Sequence, residues 1–425
     1  MNKNFPLSKS ELKDLISHYP TPFYLYDGRA LRQNARRIIN AFSIFPVFKE
    51  HFAVKALPNP FILKILADEG FGADCSSYPE LLLADMAGIQ GGDIMFSSND
   101  TPVREYKAAR DLEAVINLDD FTHIEFLEKA AGIPETISCR YNPGPAKEGN
   151  VIIGKPGEAK FGFTREQIIA GFSLLKEKGA RRFGLHTMVA SNELNPDYHI
   201  ETARLLFELA VEIKQKTTIK LKFINLGGGV GIPYKPDQEP VDYTYLAQGI
   251  KTEYDKIIVP AKLHPLEIHA EWGRVITGPY GWLVTKAIHT KSIYREYIGL
   301  DASMADLMRP GLYGAYHHIT VMGKETAPAG ETYDVVGSLC ENNDKFAVRR
   351  PLPKIDVGDL VIIHDAGAHG RAMGFNYNGK LRCGELLLRT DGSVMMIRRP
   401  ETVDDYFATL DMAALKDFNP SITPA

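Results

Sequence analysis

The chain has 425 residues, of which 44% are hydrophobic and 24% charged, with a formal net charge of -4; this is the composition of a soluble globular protein too long for one hydrophobic core, so two domains are expected. With no long basic run, nucleic acid and anionic membrane are poor partners; with no signal-peptide core in MNKNFPLSKSELKDL and no apolar run of bilayer length, a cytoplasmic location is expected. Cys75, Cys139, Cys340 and Cys383 form no CxxC pair, which argues against a disulfide framework and a structural zinc site.

The early run PFYLYD precedes the first helical pattern and is assigned to a later sheet, because it would be a ninth strand for the architecture that follows. From Gly28 onward, short β-type runs alternate with amphipathic helical stretches such as RALRQNARRIINAF, PELLLADMAGI and IETARLLFELAVEIKQK. The predicted strands are HFAVKA, FGADCSS, DIMFSS, EAVINL, TISCRYN, RFGLHTM, LKFINLG and LEIHAEW. Eight alternating units predict a (β/α)8 barrel spanning residues 28–281, with its site at the C-terminal ends of the strands. After Gly281, runs such as WLVTKAIHT, TYDVVGSLC and DLVIIHDAGAH predict an antiparallel β-rich domain, made of residues 282–425 and completed by residues 1–27.

Read together, the strand ends carry Lys55, Asp74, Ser97 with Ser98, Asn117, Arg140 with Asn142, His186, the Gly227 run, and Glu271 with Arg274. Strand ends are wet, which accounts for serines and asparagines and even for a snorkelling lysine. It does not account for a lysine, a glutamate and a triple glycine at three particular strands. Gly227, Gly228, Gly229 and Gly231 in INLGGGVGIP allow positive φ and N–H groups turned toward an anion, where this fold commonly builds its phosphate site. Lysine at strand one, phosphate at strands seven and eight and a carboxylate at strand eight describe a holder for pyridoxal 5'-phosphate. A desolvated Lys55 would lose its proton readily and serve as the nucleophile for a Schiff base. In the second domain, Arg309 suits a carboxylate, Glu341 an ammonium, and Cys340 a proton donor.

With those residues in hand, the sequence resembles the diaminopimelate decarboxylases, barrel-type pyridoxal phosphate enzymes with an alanine racemase-like fold, from PTPFYLYD to NYNGKLR. The resemblance implies Lys55 as the cofactor lysine (FAVKALPN), Gly228 and Gly229 at the phosphate (NLGGGVGIPY), and Glu271 on the pyridine nitrogen with Gly273 and Arg274 in EWGRVITGPYG. It also implies Arg309 and Tyr313 on a distal carboxylate, Tyr377 near phosphate and substrate, and Cys340 and Glu341 of CENND reaching in from the partner of a homodimer. Asp74, His186 and Ser191 join the cofactor site, and Met188 stands where the family often has a ring-stacking histidine. Trp272 replaces the proline of the family's EPGR motif, and His369 and Arg371 replace aromatic residues. The activity implied is decarboxylation of meso-2,6-diaminopimelate to L-lysine. The rivals are a decarboxylase of carboxynorspermidine, ornithine, lysine or carrier-bound glutamate, and, from another class, a non-catalytic pyridoxal phosphate-binding regulator. A racemase is disfavoured, because that branch sets an arginine against the pyridine nitrogen where this chain has Glu271.

Overall fold

A computed structural model of the chain describes residues 3–147 and 155–418. Strand β1 (Phe23–Asp27) is followed by eight parallel strands: β2 (Phe48–Ala53), β3 (Gly72–Cys75), β4 (Ile94–Ser97), β5 (Val115–Leu118), β6 (Thr136–Arg140), β7 (Arg182–His186), β8 (Phe223–Asn225) and β9 (Glu267–Ala270). They close into a barrel, β9 pairing back onto β2 through Phe48 and Ile268. The strands are almost wholly buried, as parallel strands covered by helices must be.

The covering helices begin where the local chemistry starts them. Asp27 caps the helix Gly28–Phe42 through the Ala30 N–H, and Leu31, Ala35, Ile38 and Phe42 form its buried stripe. Asn59 and Asn195 cap helices whose first residue is proline, a ring whose fixed φ suits that position. Inside the barrel, Phe223 stacks on His269 with ring centroids 4.4 Å apart, and it fits only because Gly184 faces it. A Cβ there would lie 2.0 Å from the Phe223 ring.

The second sheet has nine strands: β1 with β10 (Gly281–Ser292), β11 (Glu296–Leu300), β12 (Ile319–Val321), β13 (Glu331–Val336), β14 (Lys345–Leu352), β15 (Leu360–Ile363), β16 (Gly384–Leu388) and β17 (Val394–Arg398). The N-terminal strand does join this sheet, lying antiparallel to β10 and parallel to β16. The sheet is therefore mixed rather than purely antiparallel, since β11 and β13 also run parallel. Parallel neighbours arise here because β1 and β16 come from opposite ends of the chain, where no hairpin constrains direction.

Candidate active site

β2 ends at Ala53, and one 3-10 turn, Val54–Ala56, carries Lys55 out over the barrel mouth. Val54 and Ala56 are buried on either side, so the backbone is fixed while the Lys55 side chain remains 52% exposed. Its Nζ lies 3.5 Å from Oδ2 of Asp74. Asp74, outweighing the effect of burial, and then Glu271 raise the lysine pKa above its ordinary value. The expectation that desolvation would strip this amine of its proton is thus corrected: the carboxylates win, and the ammonium is the favoured form. Burial and the neighbouring Glu271 push the Asp74 carboxyl up, with Lys55 opposing. These two tendencies conflict over one shared proton. Within the pair the lysine keeps the proton, because its half-exposed ammonium is solvated and faces both Asp74 and Glu271, and Asp74 carries the charge that holds it there against the effect of burial.

Glu271 follows β9 and is built to be ionised. Oε1 accepts from Asn225 Nδ2 at 2.7 Å and Ser97 Oγ at 3.4 Å, while Oε2 accepts from His186 Nε2 at 2.9 Å. Asn117 donates to His186 Nδ1 at 3.1 Å, which requires the proton on Nε2, facing the carboxylate. Burial opposes ionisation of Glu271, but His186 and then Lys55 outweigh it and hold the carboxyl down at about 2. Asn117 and Ser97 were visible in the sequence as polar strand ends; Asn225, although it opens the quoted NLGGGVGIPY run, received no role, because only the fold brings its amide to Glu271.

The glycine turn is demanded by close backbone packing, which leaves no room for side chains. Gly227 and Gly229 have φ of 65° and 106°, and Cβ atoms at Gly227, Gly228 and Gly229 would lie 2.0, 2.7 and 2.6 Å from the carbonyl oxygens of Thr187, Glu271 and Ala190. Gly228 donates its N–H to Met188 Sδ at 3.2 Å; a thioether is a weak acceptor that an anion would outcompete. β7 ends at His186, so Met188 lies beyond the strand and packs on the glycine turn instead of continuing a strand alternation. Gly273 is needed for close approach, since its Cβ would meet Ala56 Cβ at 2.8 Å beside Lys55. The Trp272 replacement has a clear partner: its backbone N–H donates to buried Glu50 Oε1 at 2.6 Å, which a proline could not do.

Two buried arginines meet above the turn. Arg274 Nη1 and Arg309 Nη1 donate to the same Tyr234 hydroxyl at 2.7 and 2.9 Å, and Arg274 Nη2 reaches Ser191 Oγ at 3.4 Å. Arg309 Nη1 also donates to His317 Nε2 at 2.8 Å, and His317 Nδ1 donates to the His364 carbonyl at 2.8 Å. Burial, then Arg309, lowers the His317 pKa to about 3, so its ring is the neutral acceptor this arrangement needs. Among the described residues neither arginine has a carboxylate partner, although each is less than a tenth exposed. Tyr234 ends the quoted GGGVGIPY run and His317 follows RPGLYGAY, yet neither received a role from sequence alone. Their spacing from the arginines exists only in the fold.

Cys340 and Glu341 stand apart. Both are exposed; Cys340 N–H donates to Asn378 Oδ1 at 2.7 Å and Glu341 Oε1 accepts from Asn343 N–H at 3.0 Å. Neither shares a hydrogen bond or ion pair with Lys55, Glu271 or the two arginines among the described residues. Tyr313 and Tyr377 are about half exposed. A cavity of about 780 Å³, lined by Lys3, Arg37, Tyr243 and Trp282 among others, opens elsewhere and does not include Lys55.

The barrel-end residues fit pyridoxal phosphate: an amine, an ionised carboxylate and a glycine cradle stand where aldehyde, ring nitrogen and phosphate require them in kind. Comparisons with known proteins agree. The family described as "Pyridoxal-dependent decarboxylase, pyridoxal binding domain" matches residues 31–278. Protein TabA of Pseudomonas amygdali pv. tabaci is 43% identical over 417 residues, covering 98% of this chain and 96% of that protein. The diaminopimelate decarboxylase of Methanothermobacter thermautotrophicus is 34% identical, covering 92% of each chain. The structure of the diaminopimelate decarboxylase of M. jannaschii in complex with L-lysine superposes with a TM-score of 0.87 at 28% identity, covering 97% of this chain and 94% of that one. A pyridoxal phosphate holder built on a barrel, matched along its length by these relatives, makes the chain a member of the pyridoxal-dependent decarboxylase family.

Proposed function

We propose that the protein decarboxylates meso-2,6-diaminopimelate to L-lysine and carbon dioxide, acting as a homodimer with shared active sites. The observation that carries this reading is the pair of buried guanidiniums, Arg274 and Arg309, joined through the Tyr234 hydroxyl and without a carboxylate of the chain's own. Buried cations demand an anion. Ornithine and lysine have no distal carboxylate to offer, whereas diaminopimelate does.

Bound pyridoxal phosphate supplies the electron sink for the pair left behind when carbon dioxide departs. Lys55 would tether it and release it to the substrate amine, and Glu271, kept ionised by His186 and Asn225, would pair with the ring nitrogen. Gly228, Gly229, Gly273, Ser191, Arg274 and Tyr377 would hold the phosphate, Met188 would flank the ring, and Asp74 sets the charge beside Lys55. Arg309, Tyr313 and Arg274 take the far carboxylate. Glu341 takes the far ammonium and Cys340 holds the proton delivered to the α-carbon, both from the second copy of the chain, which accounts for their exposure in one copy.

One observation favours a second reading, decarboxylation of a different amino acid: TabA, a 43% identical relative, bears a name that states no activity. Offering the cofactor-loaded protein meso-diaminopimelate, ornithine, lysine and carboxynorspermidine in parallel, with product identification, separates the two. Lysine released from diaminopimelate alone supports the proposal. Turnover of another substrate with none of diaminopimelate overturns it while leaving the chemistry intact.

A further inference from the structure

We propose that Tyr234 binds substrate directly, its hydroxyl giving its proton to the carboxylate that Arg274 and Arg309 hold. The inference rests on the reading above that these arginines take an anionic end of the substrate.

The Tyr234 side chain is held in place by its neighbours. Its ring meets the His317 ring edge to face, with centroids 5.1 Å apart and planes at 69°, and the Arg309 guanidinium carbon lies 4.8 Å from the tyrosine ring's centroid. The backbone leading to it is pinned as well: Gly231 N–H donates to the Glu193 carbonyl at 2.9 Å, and Ile232 N–H to Asn192 Oδ1 at 3.0 Å. Because Tyr234 is buried, its hydroxyl has to find its partners at this spot and not in bulk water.

A hydroxyl has one proton to give and lone pairs that accept. Here the accepting side is spent, because Arg274 Nη1 and Arg309 Nη1 both donate to this oxygen, at 2.7 and 2.9 Å. The proton has no acceptor among the described residues. Guanidinium nitrogens only donate, and the His317 Nε2 lone pair is already taken by Arg309 Nη1 at 2.8 Å. That contact commits the second hydrogen of Nη1, so among the described residues Arg309 keeps Nε and Nη2 for a ligand. Two cationic donors polarise the phenol and strengthen its O–H as a donor, and a buried donor without an acceptor costs free energy. What completes the arrangement is a group that accepts and does not donate. An ionised carboxylate accepts at both oxygens, whereas a carboxamide or an ammonium would set hydrogen against hydrogen. The hydroxyl thus makes this end of the site selective for an acid.

The test uses the full-length, cofactor-loaded protein and pimelate, a seven-carbon dicarboxylate without amino groups, in calorimetric titrations at pH 6. The variants are Tyr234→Phe, Arg309→Met and a protein in which Tyr234 is replaced by 3-fluorotyrosine, whose phenol is a stronger donor and a weaker acceptor in nearly the same volume. Tyr234→Phe is expected to weaken pimelate binding by about ten- to a hundredfold. The fluorinated protein is expected to bind it about two- to fivefold more tightly than wild type. A hydroxyl that only links the arginines predicts the reverse, since a poorer acceptor holds them less well. Unchanged or weaker binding by the fluorinated protein overturns the inference, whether or not Tyr234→Phe folds, and so does unchanged binding by a folded Tyr234→Phe. Pimelate binding that survives intact in Arg309→Met overturns instead the reading of the arginines as the anion site, and the inference with it.

Discussion

The Glu271 cluster and the Cys340–Glu341 loop use the same kinds of side chain in opposite ways. Around Glu271 each carboxylate oxygen has a donor from the same chain, and those donors are themselves held, Asn117 binding both His186 and Ser97. The loop is ordered from beneath, with buried Asp344 accepting the N–H groups of Met304 and Leu339, while its thiol and carboxylate face outward. One region is preorganised within a chain, where a polar atom without its partner costs dearly. The other is a presented edge, where exposed groups cost little until something docks on them.

Breaking the first region should have the largest effect. Glu271→Ala leaves the Asn225 amide and the His186 N–H without an acceptor, and is expected to lower the decarboxylation rate by about 10²–10³-fold and stability by about 2–4 kcal/mol, read by steady-state kinetics and urea unfolding. The second region is sharpened by mixing inactive chains. Lys55→Ala and Cys340→Ala chains, unfolded and reassembled together, should regain about a quarter of wild-type activity if a symmetric dimer shares its sites, and none if each chain works alone.

A smaller, pH-dependent effect distinguishes the regions by stability. The folded-state pKa of Glu271 is depressed to about 2, so its stabilisation is present above the ordinary carboxyl range near pH 4.5 and is lost as pH falls toward 2. The stability gap between wild type and Glu271→Gln should therefore shrink across that window, by on the order of 2–4 kcal/mol, measured by denaturant unfolding at stepped pH. Least affected should be the stability of Cys340→Ser, within about 0.5 kcal/mol of wild type, even though its turnover falls.

Much of this was legible in the chain because it is written in local pattern. Seven of the eight barrel strands lie within the runs read from alternation and turn residues, the first, Phe48–Ala53, starting ahead of its run and sharing only residues 51–53 with it, and Lys55, Glu271 and the triple glycine are strong signals through residue type and order. What escaped depends on distance through space. Tyr234 matters because two arginines from separate parts of the chain converge on its hydroxyl, and Asn225 because its amide reaches Glu271 from the neighbouring strand. The protonation of Lys55 was misjudged for the same reason: of its nearest charges, Asp74 comes from the strand paired beside β2, and Glu271 from the end of β9, which only barrel closure brings to β2. The mixed second sheet likewise follows from pairing the first strand with one some 360 residues later, as in the Phe23 and Gly384 pair.

The claim on which the account rests is that Lys55 is the covalent seat of the cofactor. Borohydride reduction of the cofactor-loaded protein, followed by proteolysis and mass spectrometry, tests it directly. The account predicts a pyridoxyl label on the peptide carrying Lys55 and on no other lysine; a label on a different residue, or none after reduction, would contradict it.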